Sequence, residues 1–307
     1  MHFRLAGKRS YMIELADISR TFQRFTALEH VDLKLEEGGF LGLLGADDAG
    51  KTTLLHIVMG FDKGYEGTVH TLGKLPQEWT ETDRGAVRFV PDDIIWERNM
   101  TAEEYLRIAE AACPRLEDYD AELEQQLCGE YEIDMKTKLL DMTYNQNKLV
   151  QIIAAVCARP KLLILDEPVN FLSTASYRSL LEHLKAWNEK GMSILVAAEK
   201  YEDVRGYIKE YVYLDEGEVL AAAAVPTPDF RSKVVILEQP ANPAVEGLMT
   251  QERGFRFLNE RLGRRRYAFS GNSKLLLRLL DKLACQDVVI DEMTLEEELK
   301  RDYSRWE

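Results

Sequence analysis

Apolar and polar residues alternate strictly over Val31-Asp32-Leu33-Lys34-Leu35, the pattern of a strand with one buried face. A shorter, mostly apolar stretch at residues 12–15 precedes it, so the chain is expected to open with antiparallel pairing. Gly38-Gly39 interrupts the alternation, and Phe40-Leu41-Gly42-Leu43-Leu44 then runs apolar throughout, as a strand covered on both faces does. Residues 53–59 change to helical spacing and stop at Gly60. Residues from about 101 to 146 read as helix-rich and acidic, and Thr101-Ala102-Glu103-Glu104 supplies a capping box at their start. The stretch 149–158 predicts a buried helix. A second apolar strand, Leu162-Leu163-Ile164-Leu165, ends in Asp166-Glu167-Pro168; a helix over about 177–190 and a buried strand over 193–198 follow. Buried strands alternating with helices predict an α/β domain on a parallel sheet, with its site at the carboxyl ends of the strands.

The pattern breaks around residues 221–228 and again between Pro240 and Pro243. A domain boundary is therefore expected near 225, separating residues 1–224, with a helical subdomain at about 95–150, from residues 225–307. The second part predicts strands at 234–237, 255–259, 266–269 and 288–290. It also predicts a helix over 273–285 and a last helix capped by Thr294 with Glu297, together a small α+β appendage.

Charge narrows the partners. A net charge of −14 with 30% charged residues argues against a surface built to grip nucleic acid, which needs clustered Lys and Arg. The cluster Arg261, Arg264, Arg265 and Arg266 is the exception, and it is expected to be a solvated turn. No apolar run approaches the roughly 20 residues needed to span a bilayer. The first nine residues carry no apolar core of a leader peptide. Cys113, Cys128, Cys157 and Cys285 are scattered without a Cys-x-x-Cys pair, which fits reduced thiols in the cytoplasm.

Chemistry concentrates in Gly45-Ala46-Asp47-Asp48-Ala49-Gly50-Lys51-Thr52, a match to the phosphate-binding Gly-x-x-x-x-Gly-Lys-Thr loop, with an apolar strand before it and a helix, from Thr53, after it. The glycines let backbone N–H groups curl around phosphates, and the helix N-terminus adds positive dipole. Lys51 is expected to neutralise β- and γ-phosphates, and the Thr52 hydroxyl to ligate Mg²⁺. Asp166, at the end of an apolar strand, is expected beside the metal, with Glu167 placed to polarise an attacking water. ATP and Mg²⁺ are the implied cofactors. Asp47 and Asp48 add negative charge to the loop, though Asp tolerates the left-handed backbone such a loop needs.

Over roughly residues 12–224 these motifs resemble the nucleotide-binding subunit of ABC transporters: an aromatic before the phosphate loop, a helical insert, and Leu162 to Pro168 with Asn170 after it. The resemblance implies a P-loop NTPase fold of mixed sheet core, antiparallel N-terminal subdomain and helical subdomain. It implies adenine stacking on Phe22 and a Q-loop at Gly85 to Asp92, with Asp92 joining Thr52 and Asp166 at the metal. It also implies a second nucleotide-binding domain, a separate integral-membrane permease, and a site peripheral to the inner face of the membrane. Of that family, subunits carrying a C-terminal appendage resemble those of drug, bacteriocin or peptide exporters.

The same comparison exposes departures at chemical positions. Asp92 stands for the Q-loop Gln, and Met142-Thr143-Tyr144-Asn145-Gln146 for the Leu-Ser-Gly-Gly-Gln signature. Leu172-Ser173 replaces the D-loop Leu-Asp, and Glu199 the switch histidine. ATP binding with slow or partner-dependent hydrolysis is therefore expected. A nucleotide-dependent switch without transport is the main alternative, and a soluble protein acting on ribosomes or DNA a fainter one.

Overall fold

A computed structural model describes residues 10–94, 99–114, 118–224, 232–237, 255–261, 264–270, 276–278, 280 and 288–292. The alternation at 31–35 belongs to a longer strand, β2 (Phe25–Glu36), hairpinned onto β1 (Tyr11–Phe22). Strand β1 extends well beyond residues 12–15 because register shifts interrupt its period and hide the rest of it from a pattern search. Its other edge pairs with β4 (Glu66–Thr71), a strand the sequence reading missed because only Val69 and Thr71 in it are buried.

Six strands form the second sheet: β3 (Phe40–Leu44), β5 (Val87–Val90), β6 (Leu162–Leu165), β7 (Ser193–Ala198), β8 (Glu210–Asp215) and β9 (Glu218–Ala224). Their spatial order is β5-β6-β7-β3-β8-β9, parallel throughout except that β9 returns antiparallel to β8. The short, largely apolar runs at β3, β6 and β7 are fully buried, as parallel strands covered on both faces require. Leu41, Leu43, Ile164, Leu195 and Ala197 from this sheet meet Ile13, Leu15, Leu33 and Leu35 from the antiparallel one. The helix α1 (Lys51–Val58) contributes Leu54, Leu55, Ile57 and Val58 to that core.

The remaining helices of this unit are α2 (Glu81–Ala86), α3 (Ala102–Ala111), α4 (Ala121–Glu130), α5 (Tyr144–Cys157), α6 (Thr174–Glu189) and α7 (Tyr201–Val204). The capping box forms at α3 as read: Glu104 N donates to Thr101 Oγ1 and Thr101 N to Glu104 Oε2. In α5 the buried run extends from Asn147 through Cys157, because this helix packs on α3 and α4 on one side and on β5 on the other. No helix among the described residues is long and apolar enough to cross a membrane.

The chain divides into two compact units, residues 1–225 and 226–307. The second holds a four-stranded antiparallel sheet of β10 (Ser232–Leu237), β11 (Phe255–Arg261), β12 (Arg264–Ser270) and β13 (Val288–Glu292) in the order β11-β12-β10-β13. That order is the one a split β-α-β produces. Val235, Phe255, Tyr267 and Phe269 pack with Leu276 and Leu280, which lie in the helical stretch expected at 273–285. The expected last helix and the Pro240–Pro243 break lie outside the described residues. Arg264, Arg265 and Arg266 correct the expectation of a solvated turn: they belong to β12, where Arg265 pairs with Leu237 and Arg266 with Ile236.

Candidate nucleotide site

Four loops that leave the parallel strands at their carboxyl ends carry the candidate residues: Gly45 to Gly50 after β3, Pro91-Asp92 after β5, Asp166-Glu167 after β6 and Glu199 after β7. The parallel order β5-β6-β7-β3 brings the first three together around one cleft of about 580 Å³. Asp47, Asp48, Gly50, Lys51, Thr52, Thr53, Asp92, Glu167 and Asn170 line it, with Phe25 and Ala27 from the β1–β2 hairpin.

Backbone demands explain the glycines of the loop. Gly50 sits at φ 99°, and a Cβ there would lie 2.6 Å from the Ala27 carbonyl oxygen. At Gly45 a Cβ would stand 2.4 Å from the Leu214 carbonyl oxygen. Asp48 adopts φ 63°, the left-handed conformation that Asp tolerates. Ala46, Asp47 and Asp48 are exposed, whereas Ala49 is buried beneath the loop.

Lys51 is buried, and its ammonium donates to the Gly45 and Ala46 carbonyls at 2.6 and 2.8 Å. It also lies 2.9 Å from Glu167 Oε1, an ion pair with both side chains largely buried at the floor of the cleft. Both Glu167 oxygens are buried, and the Lys51 ammonium is the charge that compensates them. Thr52 Oγ1 donates to Asp166 Oδ2 at 2.8 Å, while Asp166 Oδ1 is buried with no donor. Burial pushes both carboxyls above the usual carboxylate range; Thr52 partly offsets this at Asp166, and Lys51 at Glu167. Glu167 holds φ 44°, a strained conformation for a side chain of its size.

Orphaned carboxylate oxygens beside a threonine hydroxyl and a curled glycine loop are the donor set of a hard divalent ion shared with phosphate. Among the described residues no three His, Cys, Asp or Glu side chains form a cage that could hold a metal alone. Thr52 and Asp166 fit Mg²⁺ held largely by a nucleotide, and Asp92 faces the same cleft, where Asn170 Nδ2 donates to its Oδ1 at 3.1 Å.

The linkage has a definite sign. Asp166 titrates higher folded than unfolded, so its contribution is fully present below its unfolded pKa, near ~3.9, and is lost as pH rises through the folded value. The ionised carboxylate thus costs stability at neutral pH. Asp166→Asn is expected to stabilise the nucleotide-free protein by about 1 kcal/mol at pH 7. The gain should shrink toward pH 4.5 in urea melts, and an equal or larger gain at pH 4.5 would contradict the assignment.

Two sequence-predicted positions fall elsewhere. Phe22 is not part of the cleft lining; the Arg20 guanidinium covers its ring at 3.9 Å, and Arg20 is tied to Asp62 at 2.8 Å. Its hairpin partner Phe25 borders the cleft instead. Glu199 is 47% exposed, 3.9 Å from Lys200, and outside the lining. One residue escaped the sequence reading: Lys148, fully buried in α5, whose amine donates to carbonyls of the Asp92 loop. Lys148 follows the polar run Asn145-Gln146-Asn147 at the edge of the apolar stretch, so the sequence offered no local signal for it.

The stretch read against the family signature, Met142 to Gln146, leads into the start of α5. Thr143 caps the helix, its Oγ1 accepting from Gln146 N at 3.2 Å. Asn145 Oδ1 accepts from Ser173 N at 2.8 Å, and Tyr144 is 55% exposed with its ring edge-on to Phe171.

Residues 28–170 match the family model described as ABC transporter. The ABC-type transporter ATP-binding protein EcsA of Bacillus subtilis is 24% identical over 212 residues, covering 68% of this chain and 86% of that protein. The galactose/methyl galactoside import ATP-binding protein MglA of Treponema denticola is 24% identical over 231 residues; the match covers 70% of this chain but only 44% of that relative's length. Among solved structures, an ATP-binding subunit of an ABC transporter superposes with TM-score 0.63 at 24% identity, over 72% of this chain and 92% of that one. The dimeric bacterial cassette MJ0796 superposes with TM-score 0.61 at 22% identity, over 70% of this chain and all of that one.

Proposed function

Because the first unit carries an ABC transporter nucleotide-binding domain, we propose that this chain energises a membrane transporter by binding MgATP, with hydrolysis that is slow or depends on its partners. The observation that carries the reading is the convergence of Lys51, Thr52, Asp166 and Glu167 beyond the carboxyl ends of β3 and β6, the two parallel strands that flank β7. Gly45 to Thr52 would cradle the phosphates, Thr52 and Asp166 would hold Mg²⁺, and Phe25 stands where a base can lie against a ring. The ion supplies charge neutralisation on the phosphates when bound.

Lys51 must leave the Gly45 and Ala46 carbonyls and Glu167 to reach a phosphate, and that move frees Glu167. A buried carboxylate with a raised pKa is then suited to take a proton from water. Around this core the departures weaken turnover. The Thr143 hydroxyl is engaged as a helix cap, Tyr144 projects a ring where the family has glycine, and Glu199 is an anion where it has a proton donor.

The partners proposed are a second nucleotide-binding domain and a separate integral-membrane permease at the cytoplasmic face, with export as the direction. A groove of about 550 Å³ between α2, β5, α3 and α5, bordered by Arg84, Arg88, Tyr105 and Gln151, is suited in size to a short permease helix. The rival is a nucleotide switch without transport, favoured by the attachment of the altered signature within its own chain through Asn145 and Ser173. Affinity purification from detergent-solubilised membranes separates the two. The transporter reading expects a polytopic membrane protein recovered stoichiometrically, with its coupling lost on substituting Arg84 and Gln151. Recovery only from the soluble fraction, free of a membrane companion, supports the switch.

A further inference from the structure

Lys148 has no exposed surface, yet its ammonium sits among polar backbone. It donates to the carbonyl oxygens of three consecutive residues: Pro91, Asp92 at 2.8 Å and Asp93 at 3.5 Å. These carbonyls follow the end of β5 and take no further part in its ladder, so Lys148 satisfies backbone acceptors of the loop that would otherwise be left inside the protein. Its other side lies 5.3 Å from the centre of the Phe171 ring. The same turn bears Asn170, which donates to Asp92 Oδ1 at 3.1 Å. Asp92 is thus held twice, by Lys148 at its backbone and by Asn170 at its carboxylate.

Burying an ammonium is costly, and desolvation draws the Lys148 pKa down to about 8. The nearby charges of Asp92, Asp166 and Asp93 act in the opposite sense and favour the cation. Lys148 therefore stands behind the carboxylates that face the cleft and ties α5 to the loops after β5 and β6.

We propose that Lys148 is a positioning residue of the nucleotide site, fixing the Asp92 loop so that the Asp92 carboxylate faces the metal side of the cleft. The proposal rests on the nucleotide-site reading above. Lys148 touches neither nucleotide nor metal and acts through Asp92.

The test is calorimetric binding of a non-hydrolysable ATP analogue to the full chain, with Mg²⁺ and with EDTA. Lys148→Met should weaken binding about tenfold with Mg²⁺ and leave it unchanged in EDTA, the scale of one lost charge-assisted bond. Lys148→Gln, which keeps two donors, should lose less than about threefold. In an Asp92→Asn background the Lys148→Met step should cost under about twofold, because the group it positions is altered. Equal losses in EDTA, or the full tenfold loss in the Asp92→Asn background, overturn the proposal. Should Lys148→Met not fold, Asn170→Ala decides: it releases only the carboxylate from an exposed position. A Mg²⁺-specific loss supports the positioning, and unchanged binding overturns it. A wild-type chain that binds no analogue would bring down the nucleotide-site reading itself, an outcome distinct from the others.

Discussion

Lys51→Ala is expected to remove most of the thermal stabilisation that ATP confers on this protein. The ammonium is the cation lining the phosphate loop, and it is already desolvated, so its attraction to a triphosphate is little screened. Charge-assisted contacts of this kind support a loss of roughly 100-fold in affinity. Ligand at about 100 times the dissociation constant stabilises the native state by about 2.7 kcal/mol; after such a loss the same concentration gives roughly 0.4 kcal/mol. The variant must be compared with its own nucleotide-free state, because removing Lys51 leaves Glu167 and Asp166 buried without their cation and lowers the starting stability. An undiminished shift would place the nucleotide elsewhere.

The fold class was legible where burial is continuous. Strands β3, β6 and β7 are buried end to end and stand in the sheet as the pattern implied. Legibility failed where strands are half-covered or shifted in register: β1 was read as four residues, and β4, with two buried positions, was missed. Strand β8 is richer in buried residues, but its Tyr211 and Tyr213 sit between acidic ends that obscure the apolar run.

The candidate site divides in the same way. Residues bound to one another by local motif, Gly45 through Thr52 and Asp166 with Glu167, can be grouped from sequence because the loop and the strand end each have a fixed shape. The structure adds the contacts between them: the Thr52–Asp166 bond and the Lys51–Glu167 pair. Contacts across elements leave no local pattern. Nothing in residues 91–93 announces a lysine 55 to 57 positions away, and nothing in Phe22 reveals that Arg20 would cover its ring.

The second large effect concerns turnover. Beyond Lys51 and Thr52, the positions that the proposed reading assigns to hydrolysis differ in charge or bulk from the family pattern. Asp47 and Asp48 stand exposed on the loop, and each unit charge near 4 Å of a phosphate costs about 1–4 kcal/mol depending on solvent exposure. Ionised Glu199 has no proton to donate to a phosphate, and Tyr144 carries an exposed ring where the family signature has glycine. Thr143 and Asn145 spend their side-chain groups inside their own chain, on Gln146 and Ser173. On the proposed reading, binding would depend on Lys51 and Thr52, which these changes leave in place, and turnover on the groups that are changed.

The direct test is steady-state ATP hydrolysis by the purified chain at MgATP concentrations that calorimetry shows to be saturating. The account predicts full occupancy with turnover far below about 1 s⁻¹, the lower end of ordinary enzyme rates. Saturable turnover of about 1–10 s⁻¹ by the isolated chain would contradict it.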